Sequence, residues 1–156
     1  MLDRWRAQLR NVLRRSLGWG VLALGPNLLW EVVQLPLYSI WVAGTRASLA
    51  YAVAHCTVGD GLIAATTFLT TAAIVRSTDW PRVAPLRGLG LVTAIGLTYT
   101  VWSEYRNVYV AKHWAYASTM PVVAGIGLLP ILQWLLLPAV TLWLHRRLQR
   151  GAPSHR

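Results

Sequence analysis

The chain has 156 residues, 55% of them hydrophobic and only 13% charged, with 9 Trp, 8 Pro and a formal net charge of +10. A soluble protein of this length rarely holds four apolar runs of about 20 residues each, so the bilayer is the natural solvent. The positive charge would suggest nucleic acid in a soluble domain, but here it sits at the ends of apolar runs, which points to topology and anionic lipid and argues against a nucleic-acid partner.

Residues 1–15 come first. Leu2, Trp5, Leu9, Val12 and Leu13 recur at helical spacing, and Arg4, Arg6, Arg10, Arg14 and Arg15 carry the charge. The pattern predicts a basic amphipathic helix lying on the membrane surface, or else a plain positive flank that stops translocation. Both fix the same topology. A cleavable signal peptide is disfavoured, because Glu31, Gln34 and Pro36 follow the apolar core.

The first span is expected over about 17–35. Pro26 removes a backbone donor inside it and is a kink candidate. Asn27, Glu31 and Gln34 follow at i, i+4 and i+7 and share one helix face. The stretch 36–48 is too apolar for an ordinary loop and reads as interfacial.

The second span is expected over about 49–75 and contains His55-Cys56-Thr57-Val58-Gly59-Asp60-Gly61. An Asp at the centre of a membrane helix costs roughly 2.5–3.5 kcal/mol on insertion scales, so it faces a partner, a cavity or a ligand. Cys56, Asp60, Thr67 and Thr71 fall near one face, and His55 points to a neighbouring one. Gly59 and Gly61 flank the Asp and leave room for another helix. Cys56 is the only cysteine, which excludes an intrachain disulfide or CxxC redox chemistry.

A Pro- and Arg-containing loop covers 76–87. The third span is expected over about 88–104, with Gly90 and Gly96 as packing positions and Thr100 and Glu104 one turn apart. The loop 105–118 carries Arg106, Lys112, His113 and four aromatics. The fourth span is expected over about 120–144, with Gln133 as its one strongly polar interior residue, suited to a helix–helix hydrogen bond, and Pro121, Pro130 and Pro138 as kink candidates. The segment 145–156 is basic and cytoplasmic, and 151–156 reads as a disordered tail.

Lys and Arg set the orientation. Five fall in 1–15, three in 76–87 and four after Leu144, against one in 36–48 and two in 105–118. By the positive-inside rule both termini are cytoplasmic. Trp19, Trp80 and Trp143 are then expected as inner interfacial anchors, and Trp30, Trp41, Trp102 and Trp114 as outer ones. Glu31, Asp60 and Glu104, from three different spans, fall in the outer half.

That convergence carries the functional expectation. Glu31, His55, Asp60, Glu104 and His113 are candidate ligands for a divalent transition metal, with the chemistry of imidazole and carboxylate behind them. Asp60, His55 and Glu31 are the candidate catalytic groups, since burial of a carboxylate favours general acid–base roles. Gln34 and Arg106 are candidate binding groups for a small polar or lipid-headgroup ligand. Two alternatives stand beside this: a structural or accessory subunit whose buried polar groups only pair helices, and a small proton-coupled transporter acting as a homodimer.

Four segments together, Trp30-Glu31-Val32-Val33-Gln34-Leu35-Pro36-Leu37-Tyr38, His55-Cys56-Thr57-Val58-Gly59-Asp60, Tyr99-Thr100-Val101-Trp102-Ser103-Glu104, and Trp114-Ala115-Tyr116 through Met120-Pro121 to Gln133-Trp134-Leu135, give the chain a resemblance. It resembles a group of short hypothetical inner-membrane proteins of proteobacteria, over about residues 25–140. The resemblance implies localisation in the bacterial inner membrane and a four-span layout, and implies no activity. The expected architecture is therefore a single all-α domain over 1–156: a polytopic integral membrane protein with four transmembrane helices in a bundle and an N-terminal basic amphipathic helix. Its expected partners are the lipid bilayer, anionic lipid at the cytoplasmic face, and other copies of itself.

Overall fold

The computed structural model describes residues 2–151, so the end of the tail, with His155 and Arg156, lies outside the described residues. The protein is all-helical apart from one short hairpin. Its elements in chain order are α1 (Leu2–Gln34), a 3-10 turn (Leu35–Leu37), α2 (Ile40–Ala43), α3 (Arg46–Val75), α4 (Trp80–Val83), α5 (Pro85–Tyr105), a π turn (Arg106–Val110), β1 (Val122–Val123), β2 (Ile126–Gly127) and α6 (Leu128–Gly151). Four of these helices are long. α1 packs against α3 and α6, and α5 packs against the same two.

Three segments are long and apolar enough to cross a membrane: Arg6–Leu37, Arg46–Val75 and Leu128–Arg150. α5 is the fourth long helix, with 21 residues. Its second half carries Thr98, Tyr99, Thr100, Ser103 and Glu104.

Two boundaries differ from expectation. The basic N-terminal segment is not a separate surface helix; it runs into the first apolar run as one 33-residue helix, about 50 Å long at 1.5 Å per residue. No Gly or Pro breaks residues 10–17, and the segment is already docked there. Ser16 is buried and its hydroxyl donates to the Ala65 carbonyl at 2.8 Å, and Arg15 pairs with Asp79 at 3.1 Å. α1 also continues through Pro26. The second difference is the fourth span, whose helix begins at Leu128 instead of 120 and continues past Leu144 to Gly151. Residues 120–127 are taken up by the β1–β2 hairpin, in which Val122 pairs with Gly127 and Val123 with Ile126. Its two central residues, Ala124 and Gly125, both have positive φ (50° and 82°), as a tight two-residue hairpin turn demands. Pro130 falls in the first turn of α6, where a missing N–H costs nothing.

Helix ends are set locally. Thr45 caps α3 by accepting from the Ser48 N–H at 3.2 Å. Arg76 ends that helix in the left-handed conformation, its N–H turned back to the Ala72 and Ala73 carbonyls. Pro85 opens α5, where its fixed φ suits a first helical residue.

The tightly packed end holds Trp19, Phe68 and Trp80, with ring centroids 5.1–5.7 Å apart, and His145 beside Trp19 at 5.6 Å. The sequence suggests Trp19 and Trp80 as interfacial anchors, but they are 1% and 0% exposed and belong to the core. Trp41, Trp102 and Trp143 do face outward. Since Arg15, Asp79 and His145 all lie at this end, it is the end from which α1 starts and at which α6 finishes. α1 and α3 cross closely through small residues: a Cβ on Gly20 would sit 2.6 Å from the Gly61 carbonyl oxygen.

Candidate functional site

At the opposite end the same helices separate around a cavity of about 540 Å3. Glu31 and Gln34 enter from α1, Asp60 from α3, Thr100 and Glu104 from α5, and Gln133 from α6. Glu31, Asp60 and Glu104 are 8%, 9% and 7% exposed, so the three acids expected to converge do line one space, each buried.

Helix periodicity explains the floor. Asn27, Glu31 and Gln34 occupy one face of α1 and all three are buried. Gln34 Nε2 donates to Glu31 Oε1 at 2.7 Å, and Trp30 Nε1 donates to Gln34 Oε1 at 3.2 Å. The central group is the Gln133 amide. Its Nε2 lies 2.9 Å from Asn27 Oδ1, 3.2 Å from Glu31 Oε1 and 2.8 Å from Asp60 Oδ2. It therefore ties α6 to α1 and α3 at once. An amide nitrogen carries two hydrogens, and three acceptors surround this one, so the floor is short of donors.

The roof is a loop latch. Tyr116 donates its hydroxyl to Glu104 Oε2 at 2.5 Å and accepts from the Gly127 N–H at 2.9 Å. Backbone bonds from Ser39 N to Ala115 O and from Ala117 N to Leu37 O, both 2.9 Å, stitch the 111–120 loop to the turn after α1. Tyr38 and Tyr116 lie with ring centroids 5.7 Å apart. Burial pushes both phenols up, and the nearby Glu104 carboxylate adds to it, so both remain neutral hydrogen-bond donors at ordinary pH. Nothing in the sequence marks Tyr116 as the partner of Glu104; it was one of four aromatics in a loop.

The remaining candidates are placed as follows. His55 lies on a neighbouring face of α3, as its spacing implies. It is exposed at the rim, stacked on Tyr51 with centroids 5.6 Å apart. Cys56 lines the wall of the cavity and is a free thiol. His113 is exposed, its Nδ1 3.0 Å from Asn107 Oδ1. Arg106 is exposed at the start of the π turn and makes no salt bridge among the described residues. Gly61, but not Gly59, is the close-approach glycine beside Asp60, and Gly96, but not Gly90, is the one in α5, where the Trp134 ring covers it.

The metal-ligand expectation for Glu31, His55, Asp60, Glu104 and His113 is not matched by a ligand cluster. Among the described residues no three His, Cys, Asp or Glu side chains gather so as to hold a metal ion. The Gln133 amide bonds to both Glu31 and Asp60, Tyr116 holds Glu104, and His55 and His113 sit at the rim. These side chains instead make a large acceptor-rich chamber. Its lining includes Tyr38, Tyr51, Tyr99, Trp114 and Trp134 and contains no Lys or Arg. No family model, curated protein or solved structure matches the chain.

Proposed function

We propose that the protein is an integral protein of the bacterial inner membrane, crossing it four times with both termini in the cytoplasm, and that the cavity in its outer half binds a small polar ligand that donates hydrogen bonds. The strong excess of Arg at the end opposite the cavity supports the orientation. The observation that carries the binding reading is the chamber itself. At about 540 Å3 it falls in the size range of small-molecule sites, which are concave and carry a few convergent polar groups. A space of that size lined by three buried acids is built to be filled.

The test is organic extraction and mass spectrometry of the full chain purified in mild detergent, beside Asp60→Asn purified the same way. Asn keeps an acceptor oxygen for Gln133 and a similar shape. The expected result is a small molecule retained by the native chain and lost from the folded variant. A second reading, in which the polar groups only hold helices together, is favoured by one observation: Gln133 joins three helices by itself. It wins if nothing distinguishes the two extracts and Asp60→Asn fails to fold. Orientation is checked separately by single cysteines at exposed Ser118 and Val83 in a Cys56→Ala background. An impermeant maleimide should label S118C but not V83C in spheroplasts.

A further inference from the structure

The cavity has a chemical character more specific than polar, and this step rests on the binding reading above. Four observations converge. Three carboxylates line the cavity and no Lys or Arg does. Glu31 Oε1, Asp60 Oδ2 and Glu104 Oε2 accept from Gln34, Gln133 or Tyr116, and a carboxylate has acceptor sites beyond those contacts. Thr100, 8% exposed and on the same wall, makes no side-chain hydrogen bond among the described residues. Finally, five aromatic side chains share the lining with the acids.

An anionic ligand is disfavoured by this set, because nothing basic lines the space to hold it. A bare metal ion is disfavoured by the volume and by the absence of three clustered ligands among the described residues. A group that is cationic, bulky and rich in donors suits all four observations. Its N–H groups answer the carboxyl oxygens, and aromatic rings attract its charge through their electron-rich faces. We propose that the cavity takes an organic ammonium group.

The opening indicates how such a group arrives. The deep wall, with Glu31, Gln34, Asp60, Thr100, Glu104 and Gln133, is buried, whereas the exposed lining residues are Tyr51 and His55 on α3, Tyr99 on α5 and His113 in the loop. The mouth therefore faces sideways between α3 and α5. Val58 on α3 and Trp102 on α5, both more than half exposed, belong to the apolar surface of those two helices. A lateral mouth on an apolar surface admits an amine carried on a lipid as readily as a free one.

The experiment is native mass spectrometry of the full chain in detergent. The probes are phosphatidylethanolamine, phosphatidylglycerol with the same acyl chains, and free ethanolamine. The expected result is one phosphatidylethanolamine retained about ten-fold more strongly than phosphatidylglycerol, and displaced by excess ethanolamine. Retention should fall about ten-fold in Asp60→Asn and also in Tyr99→Leu, a rim substitution that disturbs no buried hydrogen bond. Ethanolamine bound without the lipid preference supports the ammonium chemistry and assigns it to a soluble amine. Equal or stronger retention of phosphatidylglycerol overturns the ammonium assignment while leaving a binding cavity in place. No adduct with any probe, in a chain from which the extraction experiment recovers a different molecule, overturns the ammonium assignment alone. No adduct and no recovered molecule overturn both readings.

Discussion

At the end where α1 begins and α6 finishes, Trp19, Phe68 and Trp80 fill the space between the helices, and the void beside Trp19, Val92 and Trp134 is about 10 Å3. At the other end the same four helices enclose about 540 Å3. The difference is one of side-chain chemistry more than of backbone layout. Large rings interlock across the axis and close the first end, helped by Gly20 and Gly61 drawing α1 and α3 together. At the second end Asn27, Glu31, Gln34, Asp60 and Gln133 point inward, and their hydrogen bonds hold them at fixed distances from each other and from the opposite helix. Polar groups paired in this way brace a space without filling it. The tight end is filled by side chains, and the braced end is left open.

This contrast can be broken most forcefully at the tight end. Trp19→Ala removes the ring that touches Phe68, Trp80 and His145, and should cost about 3–5 kcal/mol, read by denaturant or thermal unfolding in detergent. A loss under about 1 kcal/mol would mean that the aromatic packing does not hold the helices together. Gln133→Leu comes next. It strips the donor from Asn27, Glu31 and Asp60 and should cost about 1–3 kcal/mol by leaving buried acceptors unserved. It should also change the cavity end while the Trp environment of the other end, followed by near-UV circular dichroism, is kept. Asp60→Asn is expected to cost only about 1 kcal/mol in the same unfolding assay, in keeping with single polar contacts between membrane helices, yet to lower ligand retention about ten-fold. That dissociation of stability from binding is what the contrast between the two ends requires.

Two smaller effects sharpen the picture. Tyr116→Phe removes the hydroxyl that joins Glu104 to Gly127, and should cost about 1 kcal/mol and speed hydrogen exchange in the hairpin 122–127. The half-buried Tyr116 phenol is raised above its ordinary value, so the native state holds its proton where the unfolded chain has lost it. Its contribution is fully present below about pH 10 and declines as pH rises beyond that. Tyr116→Phe should therefore flatten the alkaline arm of the stability profile. Last, Arg15→Gln breaks the partly exposed pair with Asp79 and should cost at most about 1 kcal/mol, less in high salt.

The sequence by itself determined whatever depends on local period and composition. Apolar runs bounded by Arg define the long helices. The spacing of Asn27, Glu31 and Gln34 puts them on one face, and the five-residue offset of His55 from Asp60 turns the imidazole aside, because 3.6 residues per turn is a property of the backbone alone. The tertiary structure decided what depends on helix rotation and partners. It brought Asp60 and Glu31 to one Gln133 amide, gave Glu104 to Tyr116, and buried Trp19 and Trp80, which hydropathy places at an interface. It also cut the expected fourth span short with a hairpin at Ala124-Gly125, two residues whose joint positive φ no apolar pattern reveals. Rotation about a helix axis is fixed by the close approach of Gly20 to Gly61 and of Gly96 to Trp134, contacts between positions far apart in the chain, and no period within one helix encodes them.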